Sequence, residues 1–324
     1  AEAVIVTGAT GFIGFHVAKH LADCRGFQPV CIVRDHRRSR HRIASLERRG
    51  AIVQEGSFLD TDVLKKIFSS HAIRHIVHLA ALRGAGAGSK KDYLNVNVVG
   101  TEALLHESLI NGVEKFLFCS SVGVFGTIPA EVPAGLGTAL HGDNLYHNSK
   151  IMAEDLVGQY AAKGLKTYIL RPTITYGRED DGFPASLVRM TRARRLVLSS
   201  NEVKIHLLDA DAFADLVLRI LHTECSGGGV FIAGDREPVF LKDLVDRIHY
   251  YYHGAPYPSY LKIPGVLYGA AALAFKTIRN ERWLTRVLLM SKSWHYDIGA
   301  TLEAGFGFAP AGTEDHFIPK MCSP

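Results

Sequence analysis

Short apolar runs rich in β-branched residues alternate along the first two thirds of the chain with longer stretches whose apolar positions recur every third or fourth residue. Residues 4–7, 30–33, 51–54, 76–79, 115–120 and 167–171 fit the first pattern and predict strands. Residues 13–22, 62–69, 101–111 and 146–163 fit the second and predict helices. Strands apolar along their whole length must be covered on both faces, so this rhythm predicts an α/β fold built on a doubly wound parallel sheet. From about residue 178 the rhythm loosens. GREDDGFP is a loop, VKIHLLDADAFADLVLRIL reads as a strand leading into a helix, and an aromatic run (HYYYHGAPYPSY) precedes the apolar stretch 263–275. These features predict a smaller second part, interrupted by strands that return to the sheet.

At 324 residues and 47% apolar, the chain can bury a full core. The formal charge is +5, and seven arginines crowd into residues 34–49. They follow directly on a predicted strand rather than spreading over a face among aromatics, which argues against a polynucleotide partner. Five cysteines stand apart with no CxxC pair, so neither a disulfide framework nor a zinc site is expected, and a reducing, cytoplasmic setting fits. No basic-then-apolar leader precedes Val4. Stretch 263–275 is too short to cross a bilayer, so no transmembrane segment is expected. Of sixteen histidines, His16 and His20 share a helix face without a third ligand, and His75 and His78 point to opposite faces of a strand, so no metal is expected.

The turn after the first strand carries Gly8, Gly11 and Gly14, spaced GxxGxxG. A dinucleotide pyrophosphate needs such a turn: one glycine for the bend, one for close approach of the amides, one for packing helix on strand. The helix N-terminus at Phe12 and Ile13 adds free amides and partial positive charge. Any sharp strand-to-helix turn can use glycine, but this one closes the first βαβ unit. The expected organisation is a dinucleotide-binding Rossmann domain at 1–178 and 203–233, with a substrate-binding part at 179–202 and 234–324.

Tyr146 and Lys150 lie four apart and share a helix face. An ammonium near a phenol favours the phenolate, which could then act as general base toward a substrate hydroxyl.

In order and spacing, TGATGFIG (7–14), GSFLD (56–60), HLAA (78–81), NVVGT (97–101), SSVGVFG (120–126), YHNSK (146–150) and RPTITYG (171–177) resemble the extended short-chain dehydrogenase/reductase family, which holds nucleotide-sugar epimerases, dehydratases and hydroxysteroid dehydrogenases. The resemblance implies that Ser121, Tyr146 and Lys150 are catalytic. Ser121 would hydrogen-bond the reacting oxygen while hydride passes between substrate carbon and nicotinamide. It implies that Asp60 lies near the adenine, that Ala80, Lys150 and Pro172 border the cofactor, and that Asn97 holds strand and helix around the site. It also implies a homodimer formed through the helices at 101–111 and 146–163. At the end of the second strand Arg34 takes the position that selects the cofactor, with Arg37 and Arg38 able to add charge. An arginine there pairs with the 2′-phosphate of NADP, and Asp35, one residue on, keeps NAD open.

Departures from the family pattern narrow the branch. Val122 and Gly123 stand where dehydratases carry an Asp-Glu pair, and Ile174 stands where many nucleotide-sugar enzymes have an asparagine. With apolar material at 250–290, these departures favour an NADP-preferring dehydrogenase or reductase acting on a secondary alcohol or ketone of a bulky substrate. A nucleotide-sugar epimerase using the same three residues is the alternative. A non-catalytic dinucleotide sensor comes third, because a sensor has no use for the proton-transfer set.

Overall fold

The computed structural model describes residues 1–35, 37, 39–84, 87–224 and 227–323. All six predicted strands form: β1 (Glu2–Thr7), β2 (Phe27–Val33), β3 (Ile52–Glu55), β4 (Ile73–His78), β5 (Lys115–Cys119) and β6 (Thr167–Pro172). Helices α1 (Phe12–Asp23), α2 (Arg40–Arg48) and α3 (Thr61–Ser70) alternate with the first four strands. A short α4 (Lys90–Leu94) runs through a π-turn at Asn95–Val99 into α5 (Gly100–Ile110), and α6 (Leu145–Ala162) precedes β6.

Beyond β6 the chain makes β7 (Ile174–Tyr176), α7 (Phe183–Arg192), β8 (Leu198–Ser199), β9 (Lys204–Ile205), β10 (Leu207–Asp209), α8 (Ala210–His222), β11 (Gly229–Ala233) and β12 (Val239–Phe240). There follow α9 (Leu241–His253), β13 (Lys262–Ile263), α10 (Gly265–Thr277), α11 (Glu281–Ser291), α12 (Gly299–Glu303) and α13 (Thr313–Met321). Seven strands make one parallel sheet in the order β11-β6-β5-β4-β1-β2-β3. The short remaining strands pair β7 with β10, β8 with β13 and β9 with β12.

Strand alternation builds the two helical layers. Val4, Val6, Cys31, Val33 and Leu117 face α1 and α8, whereas Ile5, Val30, Ile32, Ile76 and Phe116 face α3, α5 and α6. A third cluster joins Phe125, Tyr176, Leu187, Val245, Trp294 and Phe317 beyond the sheet. Strand order reverses between β1 and β4, and there two chain crossovers leave in opposite directions and open a crevice at the carboxyl ends of the strands. Among the described residues no helix is long and apolar enough to cross a membrane.

Candidate active site

The glycine turn lies in that crevice. Gly8 has φ +74°, and a Cβ there would come within 2.8 Å of the Ala80 backbone nitrogen, so the turn after β1 rests directly on the loop after β4. Gly11 N–H donates to Gly8 O at 2.9 Å, closing the bend. A Cβ on Gly14 would meet Gly8 O at 2.0 Å, so α1 starts in contact with the turn only because this residue has no side chain. Gly11 caps α1 without a side-chain acceptor, and no acid occupies the first turn, so the amides of Phe12 and Ile13 are open to an outside anion. The residues therefore fit a dinucleotide diphosphate: a backbone cradle at a helix N-terminus whose cap residue has no side chain.

Thr7 stands opposite Ile32 in the sheet, which brings the turn beside Arg34. Arg34 and Arg37 are exposed there, and the Arg37 N–H donates to Asp35 Oδ1 at 2.8 Å. Arg38 lies outside the described residues. Asp35, Arg37, Arg40, Glu47 and Glu55 line a cavity of about 740 Å³ at this edge. Asp60 is exposed and caps α3, accepting from Asp62 N–H at 2.9 Å and Val63 N–H at 3.4 Å. Pro172 is buried at the end of β6.

Ser121, Tyr146 and Lys150 converge at the carboxyl end of β5. Ser121 opens a 3₁₀ turn over Val122–Phe125, its Oγ accepting from Gly123 N–H at 3.0 Å. Tyr146 is half-buried in the first turn of α6, with the Ser121 side chain near enough to act on its phenol. Lys150, one turn further, is buried; its Nζ donates to Cys119 O at 2.7 Å and sits 4.6 Å from the Phe118 ring centroid. The expected lowering of the phenol is not found. Loss of solvent pushes Tyr146 well above the ordinary tyrosine range, against the opposing pull of Arg83 and of Ser121. Burial also lowers Lys150 to about 8, with its ammonium turned to the strand carbonyl. Cys119 is buried and pushed up to about 11, as suits a strand residue rather than a nucleophile.

Asn97 links the loop after β4 to α6. From the π-turn its Oδ1 accepts from Leu82 N–H at 2.7 Å, and its Nδ2 donates to Leu82 O at 2.9 Å and Ser149 Oγ at 2.8 Å. Ser149 Oγ in turn donates to Tyr146 O at 2.7 Å, tying the loop after β4 to the helix that carries the phenol. A second network was not legible from sequence. Thr101 Oγ1 donates to Asn97 O and so accepts from His78 Nε2–H; His78 Nδ1 accepts from the Thr7 hydroxyl at 2.6 Å, and Thr7 Oγ1 accepts from the Leu79 and Ala80 amides, both at 3.1 Å. Burial, helped by the Lys150 charge, lowers His78 to about 3, so this tautomer stays neutral. The histidine rivets β1 to β4 at the crevice.

Two further groups border the site. The His147 ring lies against Gly123, where a Cβ would meet its Nε2 at 2.4 Å, and Asp143 holds its Nδ1. A side chain at residue 123 would require the His147 ring to move. Ser120 hydrogen-bonds Glu154, which forms a buried bidentate pair with Arg171 at 2.9 and 2.6 Å, so Ser120 is structural. Ile174 is taken up by β7, opposite Leu207. Beside Gly177 a second cavity of about 740 Å³ is lined by Arg178, Arg189, Arg192, Tyr252 and Lys320.

Residues 4–234 match the model of the NAD dependent epimerase/dehydratase family. The UDP-glucose 4-epimerase of Erwinia amylovora is 35% identical over 187 residues, covering 55% of this chain and 55% of that protein. The chain thus spans about half the length of the relatives it matches. Among solved structures, the UDP-glucose 4-epimerase of Thermotoga maritima with UDP-glucose superposes with a TM-score of 0.77 at 21% identity, over 99% of this chain and 98% of that one. The Bordetella bronchiseptica enzyme WbmG in complex with NAD and UDP gives 0.77 at 21% identity, over 98% and 92%. At these identities the structural likeness is one of fold.

Proposed function

We propose that this chain, which belongs to the NAD dependent epimerase/dehydratase family, is a nucleotide-sugar 4-epimerase. The observation that carries this reading is its sequence likeness to UDP-glucose 4-epimerases, joined to a family match whose span, 4–234, holds the glycine turn, Ser121, Tyr146 and Lys150. The alcohol or ketone dehydrogenase expected first would use the same groups, and the relatives named above do not point to its bulky substrate.

A bound nicotinamide dinucleotide supplies hydride transfer. The amides of Phe12 and Ile13 would hold its diphosphate, and Ala80, Asn97 and Pro172 would border it. Tyr146 would exchange a proton with the oxygen at the sugar C4, as acid in its neutral form and as base once ionised, while the Ser121 hydroxyl would steady that oxygen. Lys150 anchors the helix to β5 through its hydrogen bond to Cys119 O. Arg178, Arg189 and Arg192 offer cations to the substrate diphosphate, in place of the missing asparagine at 174.

The cofactor in this reading is NAD, as the family description has it. Arg34, exposed beside the turn, supports NADP as a second reading, and the NADH to NADPH affinity ratio of Arg34→Asp tests it. Exposed Val99, Ile110, Leu145 and Met152 on or beside α5 and α6 support a homodimer through those helices.

Denaturing the purified protein and identifying the released nucleotide, then following UDP-glucose and UDP-galactose by proton NMR without added cofactor, tests the proposal. Released NAD with interconversion is expected. An empty site, no interconversion, and NADPH-dependent reduction of ketones would return the protein to the dehydrogenases.

A further inference from the structure

Helices α10 and α11 stand out because the chain leaves them largely uncovered. In α10 only Tyr268 is buried, and in α11 only Met290. Val266 (76% exposed), Ala270, Leu273 (67%) and Thr277 form one row at helical spacing, and Leu267, Ala274 and Ile278 (66%) form the next. A helix this apolar is ordinarily buried. Phe275 stacks on Trp283 at 5.9 Å, so the two helices present a joint surface, and Arg286 lies 5.1 Å from the Trp283 ring.

Charge says what covers this surface. Residues 262–292 hold six cations, Lys262, Lys276, Arg279, Arg282, Arg286 and Lys292, against the single acid Glu281. Their sum of +5 equals the formal charge of the whole chain, so the remaining residues balance. We propose that α10 and α11 dock on an anionic lipid bilayer, lying in its plane with the apolar rows among the acyl chains and the cations at the headgroups. Apolar residues flanked by Lys and Arg, with a tryptophan at the boundary, suit that interface, and thirteen residues of helix are too short to cross it. A second copy of the same surface would set six cations against six, which electrostatics opposes.

The full-length protein would be sedimented with vesicles of phosphatidylcholine alone or mixed with phosphatidylserine, while tryptophan emission is followed. Only two tryptophans exist, and Trp294 is 1% exposed against 48% for Trp283, so a blue shift reports Trp283 leaving water. Pelleting with the anionic vesicles only, a blue shift, and loss of both in Val266→Glu/Leu273→Glu are expected. Those positions are exposed, so the variant should keep its melting temperature. Lys276→Gln/Arg282→Gln/Lys292→Gln should weaken partitioning about a hundredfold. The proposal is overturned by protein that stays in the supernatant, by unmoved emission, by equal binding to neutral vesicles, or by a concentration-dependent dimer that Val266→Glu/Leu273→Glu splits.

Discussion

Substituting Gly14 by alanine tests the dinucleotide turn at its tightest point. The new Cβ would lie 2.0 Å from Gly8 O and 2.6 Å from Gly8 C, both backbone atoms that cannot swing aside. Ordinary contact needs about 3.5 Å, so helix or turn must move by about 1 Å or more. Alanine in a helix gains about 1 kcal/mol over glycine, whereas forcing extra volume into a packed site costs about 1–3 kcal/mol, at the upper end where backbone must move. The net expectation is a loss of about 2 kcal/mol. Displacing amides that face a charged phosphate costs about 1.5–3 kcal/mol for each hydrogen bond lost, so dinucleotide affinity should fall at least about tenfold. Gly158→Ala in α6 is the control: nothing lies within 4 Å of its Cβ, and that variant should be stabilised by about 0.5–1 kcal/mol with unchanged affinity. Scanning calorimetry and titration calorimetry with NAD and NADP measure both quantities. A Gly14→Ala protein that melts and binds as the parent does would refute the argument that α1 rests on the Gly8 carbonyl.

Three other outcomes follow from the site. Tyr146→Phe should reduce turnover about a thousandfold while leaving dinucleotide affinity nearly unchanged, and a variant fully active on a confirmed substrate would remove the phenol from the chemistry. Lys150 is lowered to about 8, so its charge is present below that pH and is lost as pH rises through it; kcat/KM should decline above pH 8, and a profile flat into the far alkaline range would show that this charge is not used. Glu154→Gln strands the buried Arg171 and should cost about 3–5 kcal/mol by urea unfolding, most of it recovered in Glu154→Gln/Arg171→Met; equal losses in both variants would mean that packing rather than charge pairing sets the cost.

Much of this was readable in the chain because it is local. Strand and helix periodicities follow from which faces are buried, so β1 to β6 and the helices α1, α3, α5 and α6 appear within a few residues of where they form, although Pro29 hides the start of β2 at Phe27 and α2, which buries only Ile43 and Leu46, escapes the pattern. The GxxGxxG turn, Tyr146 and Lys150 are equally local, since a sharp turn and a four-residue helical spacing are written in consecutive residues. What spacing could not give was the environment of those groups. Tyr146 is pushed up rather than down because burial, a property of the whole fold, outweighs a neighbouring charge, and Lys150 spends its ammonium on a carbonyl contributed by another element. His78, Thr7 and Thr101 meet from three elements up to 94 residues apart, and Glu154 meets Arg171 across the helix-to-sheet boundary. The apolar stretch 263–275 has the composition of a core helix, and only the tertiary structure decided that it lies outside the core. By itself, then, the sequence determined the sheet, the glycine turn and the helical spacing of Tyr146 and Lys150, whose causes lie within a few residues of each other; the tertiary structure alone decided protonation, long-range hydrogen bonding and exposure, because each depends on distant residues brought together.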